Sequence, residues 1–122
     1  MRAFKTRTFQ RWAGKAGVTD AALLDAVAQM ERGLIDADLG GNLYKQRVAL
    51  PGRGKSGSTR TIIATRFAGV LFFLYGFEKN DRDNITAKEL ALYQRFAREL
   101  LDLNESQIAT ALAGQVLTEV TR

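Results

Sequence analysis

Hydrophobic side chains recur at three- and four-residue intervals in four parts of the chain, a spacing that places them on one face of a helix. Caps support each assignment, because Thr, Asp and Asn precede the periodic stretches and Gly follows two of them. The third pattern is the longest and follows a cap at Asn84 to Thr86. The predicted helices start at residue 6 or 8, span residues 19–33, run from the cap to residue 101, and span residues 104–112.

Other segments have the character of strands. Residues 44–50 alternate in polarity, so that Lys45 and Arg47 are expected on the same face. Two segments rich in Ile, Thr, Phe and Tyr follow, and Ala68-Gly69 between them suits a hairpin turn of an antiparallel sheet. Residues 34–43 have turn formers in place of periodicity and are read as a connecting loop. The predicted strands are 2–5, 44–50, 60–67 and 70–77, and residues 113–122 form either a flexible tail or a short strand.

Composition limits the possible functions. A chain of 122 residues with 46% hydrophobic side chains fits one folded domain, expected over residues 1–122. It has no cysteine and no histidine, which excludes disulfides, thiolate nucleophiles and the usual zinc ligands. We expect no metal and no small-molecule cofactor. The first residues lack the apolar core of a signal peptide and no apolar run is long enough for a membrane helix, so a cytoplasmic protein is expected.

Positive charge is concentrated in the middle of the chain. Residues 39–77 carry six Lys and Arg and no Asp or Glu, whereas the rest of the chain carries twelve Lys and Arg and thirteen Asp and Glu. The formal net charge of +5 therefore originates in this window. Such a local field attracts polyanions, of which phosphate is the commonest. The alternative reading is a solvated sheet face, but six like charges without a compensating carboxylate repel one another.

The glycines of this window match two nucleotide-binding motifs only in part. Gly52, Gly54 and Gly57 fit G-x-G-x-x-G, but that fingerprint must open a helix and here a strand follows. Gly54-Lys55-Ser56 reads like the end of a Walker A loop, yet Ala49 stands where its first glycine is required. Both motifs are rejected. What remains is a glycine-rich loop bearing Arg53 and Lys55 between two strands.

Arg60 is the strongest single candidate for an anion contact, because it opens a strand and can bind phosphate oxygens with two donors. In an antiparallel hairpin the segment after residue 77 lies near Arg60, which brings Lys79 and Arg82 close to it. Tyr75 and Phe77 lie at the same strand end, where an aromatic face can stack on an unpaired RNA base. The alternative reading for residues 78–84 is a solvated turn with weak ion pairs.

The stretch from Trp12 to Leu101 resembles the RelE/HigB-type toxins of bacterial type II toxin–antitoxin systems, in the RelE/ParE superfamily. The resemblance is carried by GLIDADLGGNLYKQRVALPGRGKSGSTRTIIATR and by LFFLYGFEKNDRDNI. It implies an α+β, RelE-like fold in which two N-terminal helices pack on a small twisted antiparallel sheet, with C-terminal helices. The opposite face of the sheet would hold messenger RNA in the ribosomal A site.

The resemblance also implies a reaction: metal-independent cleavage of mRNA, in which a ribose 2′-hydroxyl attacks the adjacent phosphate and translation is inhibited. On that basis the expected catalytic residues are Arg60, Lys55, Lys79 and Arg82. Without histidine, the general base would be a lysine of lowered pKa, a carboxylate such as Glu78 or Asp81, or no protein group. The expected RNA-binding residues are Lys45, Arg47, Arg53, Tyr75 and Phe77.

The resemblance further implies two partners, a cognate antitoxin protein and mRNA on the ribosome. Two other functions stay open at this point. A ParE-type toxin would bind a topoisomerase through protein contacts without catalysis, and it has less need of phosphate-directed cations. A plain basic nucleic-acid-binding module would bind with strong salt dependence and without turnover.

Overall fold

A computed structural model describes residues 1–50 and 59–122 of the chain. Over these residues two helices follow the first strand, four strands come next, and two further helices precede the last strand. They follow in the order β1 (Arg2–Thr6), α1 (Arg7–Ala16), α2 (Asp20–Glu31), β2 (Ala37–Gly40), β3 (Leu43–Val48), β4 (Thr59–Thr65), β5 (Val70–Glu78), α3 (Ala87–Leu101), α4 (Glu105–Ala113) and β6 (Leu117–Glu119).

The helix ends are set by side-chain caps. The hydroxyl of Thr6 accepts from the backbone N–H of Phe9, and Thr19 does the same for α2. At α3 the cap is reciprocal, because Thr86 accepts from the Glu89 N–H while the Glu89 carboxylate accepts from the Thr86 N–H. Asn104 and Gln107 form a second capping box at α4, the helix that the sequence predicts from Asn104.

The sheet has six strands in the order β2-β3-β4-β5-β1-β6. All neighbours are antiparallel except β1 and β5, which run parallel and pair Arg2 with Val70. Of the two forms expected for residues 113–122, the short strand is found: Leu117–Glu119 form β6, which pairs with β1. The loop expected over residues 34–43 is wrong, because residues 37–40 pair with β3 as β2.

Helices cover both faces of this sheet. Helices α1 and α2 pack on one face around Phe9, Leu23, Ile63 and Phe73. Helices α3 and α4 pack on the other face around Phe4, Leu43, Phe72 and Ala97. We call these the α1/α2 face and the α3 face.

The expected architecture, two N-terminal helices on a small antiparallel sheet, is therefore wrong. The sheet is mixed, has six strands and begins with a strand before any helix. The face opposite α1 and α2, expected to be open for RNA, is largely covered by α3 and α4. The physical reason is that β1 inserts between β5 and β6, which widens the sheet and gives the C-terminal helices a surface to cover. No helix within residues 1–50 and 59–122 is long and apolar enough to span a bilayer.

Candidate nucleic-acid interface

Three cations that are at least partly exposed share one end of the α3 face. Arg47 on β3 lies directly opposite Arg60 on β4, and Arg60 lies opposite Phe77 on β5. Two residues further along the strands, Lys45 on β3 and Tyr75 on β5 lie on either side of Ile62 on β4. Because side chains alternate between the two faces of a strand, the residues of both cross-strand sets point to the α3 face. We call Lys45, Arg47 and Arg60 the cationic row.

The cationic row brings like charges together. Directly opposed residues in an antiparallel pair have Cβ atoms about 5 Å apart, and like charges there destabilise the sheet. Arg47 is partly compensated by Asp36, whose carboxylate accepts from the Arg47 backbone N–H and lies 3.5 Å from its Nε. The Arg47 side chain nevertheless remains 61% exposed. The arrangement keeps a positive surface where an anion can reach it.

Arg82 approaches the same face from the loop after β5, but it is held by a carboxylate. Both of its terminal nitrogens donate to Glu89, and one of them also donates to the Tyr75 hydroxyl at 3.2 Å. These hydrogen bonds raise the pKa of Arg82 and lower the pKa of Glu89 to about 2, helped there by the Thr86 N–H. The guanidinium also lies over the rings of Tyr75 and Phe77.

The two aromatic candidates differ in accessibility. Tyr75 is half-buried and stacks on Tyr93 with ring centroids 5.5 Å apart, and burial raises the pKa of Tyr93 to about 12. Phe77 is only 3% exposed and packs beside Tyr75. Part of the Tyr75 ring is therefore accessible to a ligand, whereas the Phe77 ring is packed in the hydrophobic core.

The remaining predicted site residues are placed as follows. Lys79 is exposed in the turn that follows β5. Arg53 and Lys55 belong to the segment outside the described residues. The structure thus brings Lys45, Arg47, Arg60, Tyr75, Phe77 and Arg82 to one end of the α3 face.

Sequence reasoning missed the two carboxylates at this site. Asp36 directly precedes β2, and the approach of its carboxylate to Arg47 depends on the pairing of β2 with β3, which the sequence pattern does not indicate. Glu89 follows the cap expected at Asn84 to Thr86, and nothing in that pattern indicates that its carboxylate binds Arg82. Within the part of the chain that the structure describes, no cluster of acidic side chains is arranged to hold a metal ion.

Comparison with known families decides the identity. A sequence model of the RelE toxin of the RelE/RelB toxin–antitoxin system matches residues 1–120. The chain belongs to the RelE toxin family. RelE-family toxins are generally mRNA-cleaving ribonucleases, and membership implies an antitoxin as partner. No curated protein gives a significant match to the chain.

Membership in the RelE family confirms the core of the resemblance in the sequence. The match spans nearly the whole chain, including β1 and β6, which the resemblance from Trp12 to Leu101 did not include. The HigB part of that resemblance stays a prediction.

Proposed function

We propose that this RelE-family toxin is a ribosome-dependent endoribonuclease that cleaves mRNA without a metal ion and thereby inhibits translation in the cytoplasm. A cognate antitoxin holds it inactive. The observation that carries the proposal is the cationic row, in which Arg60 lies between Arg47 and Phe77 on the partly exposed end of the α3 face. This arrangement suits a phosphodiester that lies across three strands.

The proposed reaction is attack of a ribose 2′-hydroxyl on the adjacent phosphorus. The bond to the 5′-oxygen of the next nucleotide breaks, and a 2′,3′-cyclic phosphate remains. Charge builds up on the nonbridging oxygens as the five-coordinate phosphorane forms. Donors that are fixed in advance stabilise that charge more than they stabilise the ground state.

Arg60 is the proposed donor to the phosphorane. It lies within β4, which pairs with β3 on one side and β5 on the other, so its backbone is fixed before substrate arrives. Its guanidinium offers two parallel N–H donors to phosphate oxygens. Lys45 and Arg47 extend the phosphate track along β3, while Lys55 and Arg53 from the loop are proposed to hold the RNA backbone.

Arg82 and Lys79 differ in how available their charges are. The charge of Arg82 is balanced by Glu89, and its bond to the Tyr75 hydroxyl makes it a positioning residue for that ring. Lys79 in the exposed turn is the proposed cation near the leaving group. The chain offers no histidine for proton transfer, so stabilisation of the phosphorane by fixed cations carries most of the rate.

Substitution of Arg60 by Ala tests the proposal directly. Loss of one preorganised donor is expected to lower cleavage by about 10²–10³-fold. The measurement is growth arrest after induction in bacteria, together with mapping of new mRNA 5′ ends. Purified toxin with ribosomes, without ribosomes, and with a chelator then separates ribosome dependence from metal dependence.

Arg66→Ala is the matched control. Arg66 follows the other end of β4 and binds the Leu101 carbonyl and Asp102, both at 2.9 Å, so its removal should cost only a little stability. Full growth arrest and unchanged mRNA ends in Arg60→Ala would count decisively against this site. Growth arrest with intact mRNA and inhibited DNA supercoiling would instead favour a ParE-type toxin.

A further inference from the structure

A small cavity opens at the edge of β5, next to the cationic row. β1 pairs with β5 only over Val70–Phe73, because the chain turns into α1 at Arg7. Over residues 75–78 β5 therefore has β4 on one side and, within the described ranges, no strand on the other. Alternate residues of such an edge present N–H and C=O groups that are not used in the sheet.

Aromatic rings enclose this cavity from both faces of the sheet. Its volume is about 190 Å³, and Trp12 of α1 lines it from the α1/α2 face while Tyr75 lines it from the α3 face. Phe9 and Phe77, both buried, form its inner wall. Flat rings on both sides favour a flat ligand.

The walls are held in place. The Trp12 ring lies so close to Gly76 that an added Cβ would fall 2.1 Å from it, and no residue other than glycine leaves that space. On the other side Tyr75 is fixed by its stack on Tyr93 and by the hydrogen bond from Arg82. The cavity therefore does not need to be formed by the ligand.

Polar groups are found at the mouth of the cavity. Asp81 and Arg82 line it, and the Asp81 side chain is exposed. An ionised carboxylate only accepts hydrogen bonds, so Asp81 favours a ligand that donates. Unpaired RNA bases are recognised by this combination of aromatic stacking and hydrogen bonds to base edges. A volume below that of drug-sized sites suits one base.

The cavity lies within reach of the proposed phosphate contact. Phe77 is the direct cross-strand neighbour of Arg60, and it also lines the cavity. Adjacent strands are about 4.8 Å apart, so the cavity begins roughly one strand spacing from Arg60. That separation is of the size between a phosphate and the base of its own or the next nucleotide.

We propose that this cavity binds one unpaired base of the cleaved RNA and that Asp81 selects bases with an exocyclic amino group. Adenine, cytosine and guanine carry such a group as a donor, whereas uracil does not. The inference rests on the proposed ribonuclease function and deepens it, because it assigns a source of sequence preference. Asp81 is then a specificity-determining residue that touches the substrate.

Mapping of cleavage sites tests the selection. Cells that express the wild type, Asp81→Asn or Asp83→Asn are compared by sequencing mRNA 5′ ends. At one position beside the cut, the wild type should disfavour uracil by at least about fivefold, and Asp81→Asn should lose that bias. Asp83 is an exposed acid of the same loop that does not line the cavity, so Asp83→Asn should keep the wild-type profile. Identical profiles for Asp81→Asn and the wild type would overturn the selection by Asp81.

Trp12 allows a second test that does not depend on cleavage, because it is the only tryptophan of the chain. Nucleosides, which lack phosphate, are titrated while its fluorescence is recorded. Adenosine and cytidine should quench the Trp12 fluorescence of the wild type and of Arg60→Ala alike, and more strongly than uridine does. In Asp81→Asn the three nucleosides should quench equally. Absence of quenching by every nucleoside would overturn the cavity as a base site, even if mRNA is cleaved. Quenching without any mRNA cleavage would overturn the proposed function instead and leave the base site standing.

Discussion

Neighbouring residues of β3 and β4 point to opposite faces of the sheet, and the two faces differ in how their polar side chains are satisfied. On the α1/α2 face Gln46, Thr59 and Thr61 are buried, and Thr61 Oγ1 donates to the Gln46 carbonyl at 2.9 Å. On the α3 face Lys45, Arg47 and Arg60 remain at least partly exposed. Alternate residues of the same strand therefore have different roles: the buried polar residues stabilise the fold, and the cationic residues are accessible to a ligand.

The largest expected effect on stability comes from the buried set. Gln46 is 2% exposed, donates to the Leu34 carbonyl at 2.9 Å and accepts from the Asp36 N–H at 3.1 Å. Gln46→Leu leaves both backbone groups without that partner, at a cost of about 1–3 kcal/mol each. We expect the free energy of unfolding, measured with urea, to fall by about 2 kcal/mol or more.

Lys45→Leu is the control on the opposite face, one residue away. Its free energy of unfolding should change by no more than about 0.5 kcal/mol, since surface substitutions rarely do more. Cleavage of mRNA should nevertheless fall, because a phosphate contact is lost. Equal destabilisation by the two variants would remove the distinction between the faces.

Gly76→Ala is expected to have the next largest effect. The new Cβ would fall 2.1 Å from the Trp12 ring, so α1 or the ring must move. Overpacking of this kind typically costs about 1–3 kcal/mol, seen here as a lower midpoint of thermal or urea unfolding. Gly14→Ala is the control, since nothing lies within 4 Å of a Cβ there and alanine favours a helix by about 1 kcal/mol. A neutral Gly76→Ala would mean that the contact with Trp12 is easily relieved.

The smallest effect should come from Glu89→Gln, which removes the carboxylate that faces Arg82. Glutamine can keep the capping bond to the Thr86 N–H but loses the charge that faces Arg82. The folded-state pKa of Glu89 is lowered from 4.5 to about 2, so its stabilisation is complete above about pH 4.5 and is lost as the pH falls towards 2.

Urea unfolding of both proteins across that range measures the effect. The wild type should be the more stable at neutral pH, and its advantage over Glu89→Gln should shrink between pH 4.5 and 2. A difference that stays constant with pH would mean that the ion pair with Arg82 contributes nothing to stability.

Local signals predicted most of the elements. Caps expected at Thr19 or Asp20, at Asn84 to Thr86 and at Asn104 predict three helix starts, because a cap acts within four residues of itself. In the structure the capping residues are Thr19, Thr86 and Asn104. β2 was missed because its sequence, ADLG, has no alternation and few β-forming residues. It becomes a strand only through pairing with β3, followed by a turn at Gly41 and Asn42 with positive φ.

Long-range pairing could not be inferred from the same signals. Nothing near Arg2 in the sequence indicates that it pairs in parallel with Val70, so the sequence pattern does not predict a mixed sheet. At the site, alternation correctly put Lys45 and Arg47 on one face, and the hairpin argument put Phe77 beside Arg60. The compensation of Arg82 by Glu89 depends on how the loop folds back, which a one-dimensional pattern does not contain.

The place of β1 in the sheet has a consequence for the order in which the molecule is assembled during its synthesis. β1 is synthesised first, but its neighbours β5 and β6 begin at Val70 and Leu117. It therefore cannot pair in the sheet until those distant segments have been synthesised. The β4–β5 hairpin needs only a short loop to close and can pair much sooner, since nearby segments meet faster than remote ones. We therefore expect the β3–β4–β5 part of the sheet, which bears Arg60, to form before β1 pairs with β5 and β6.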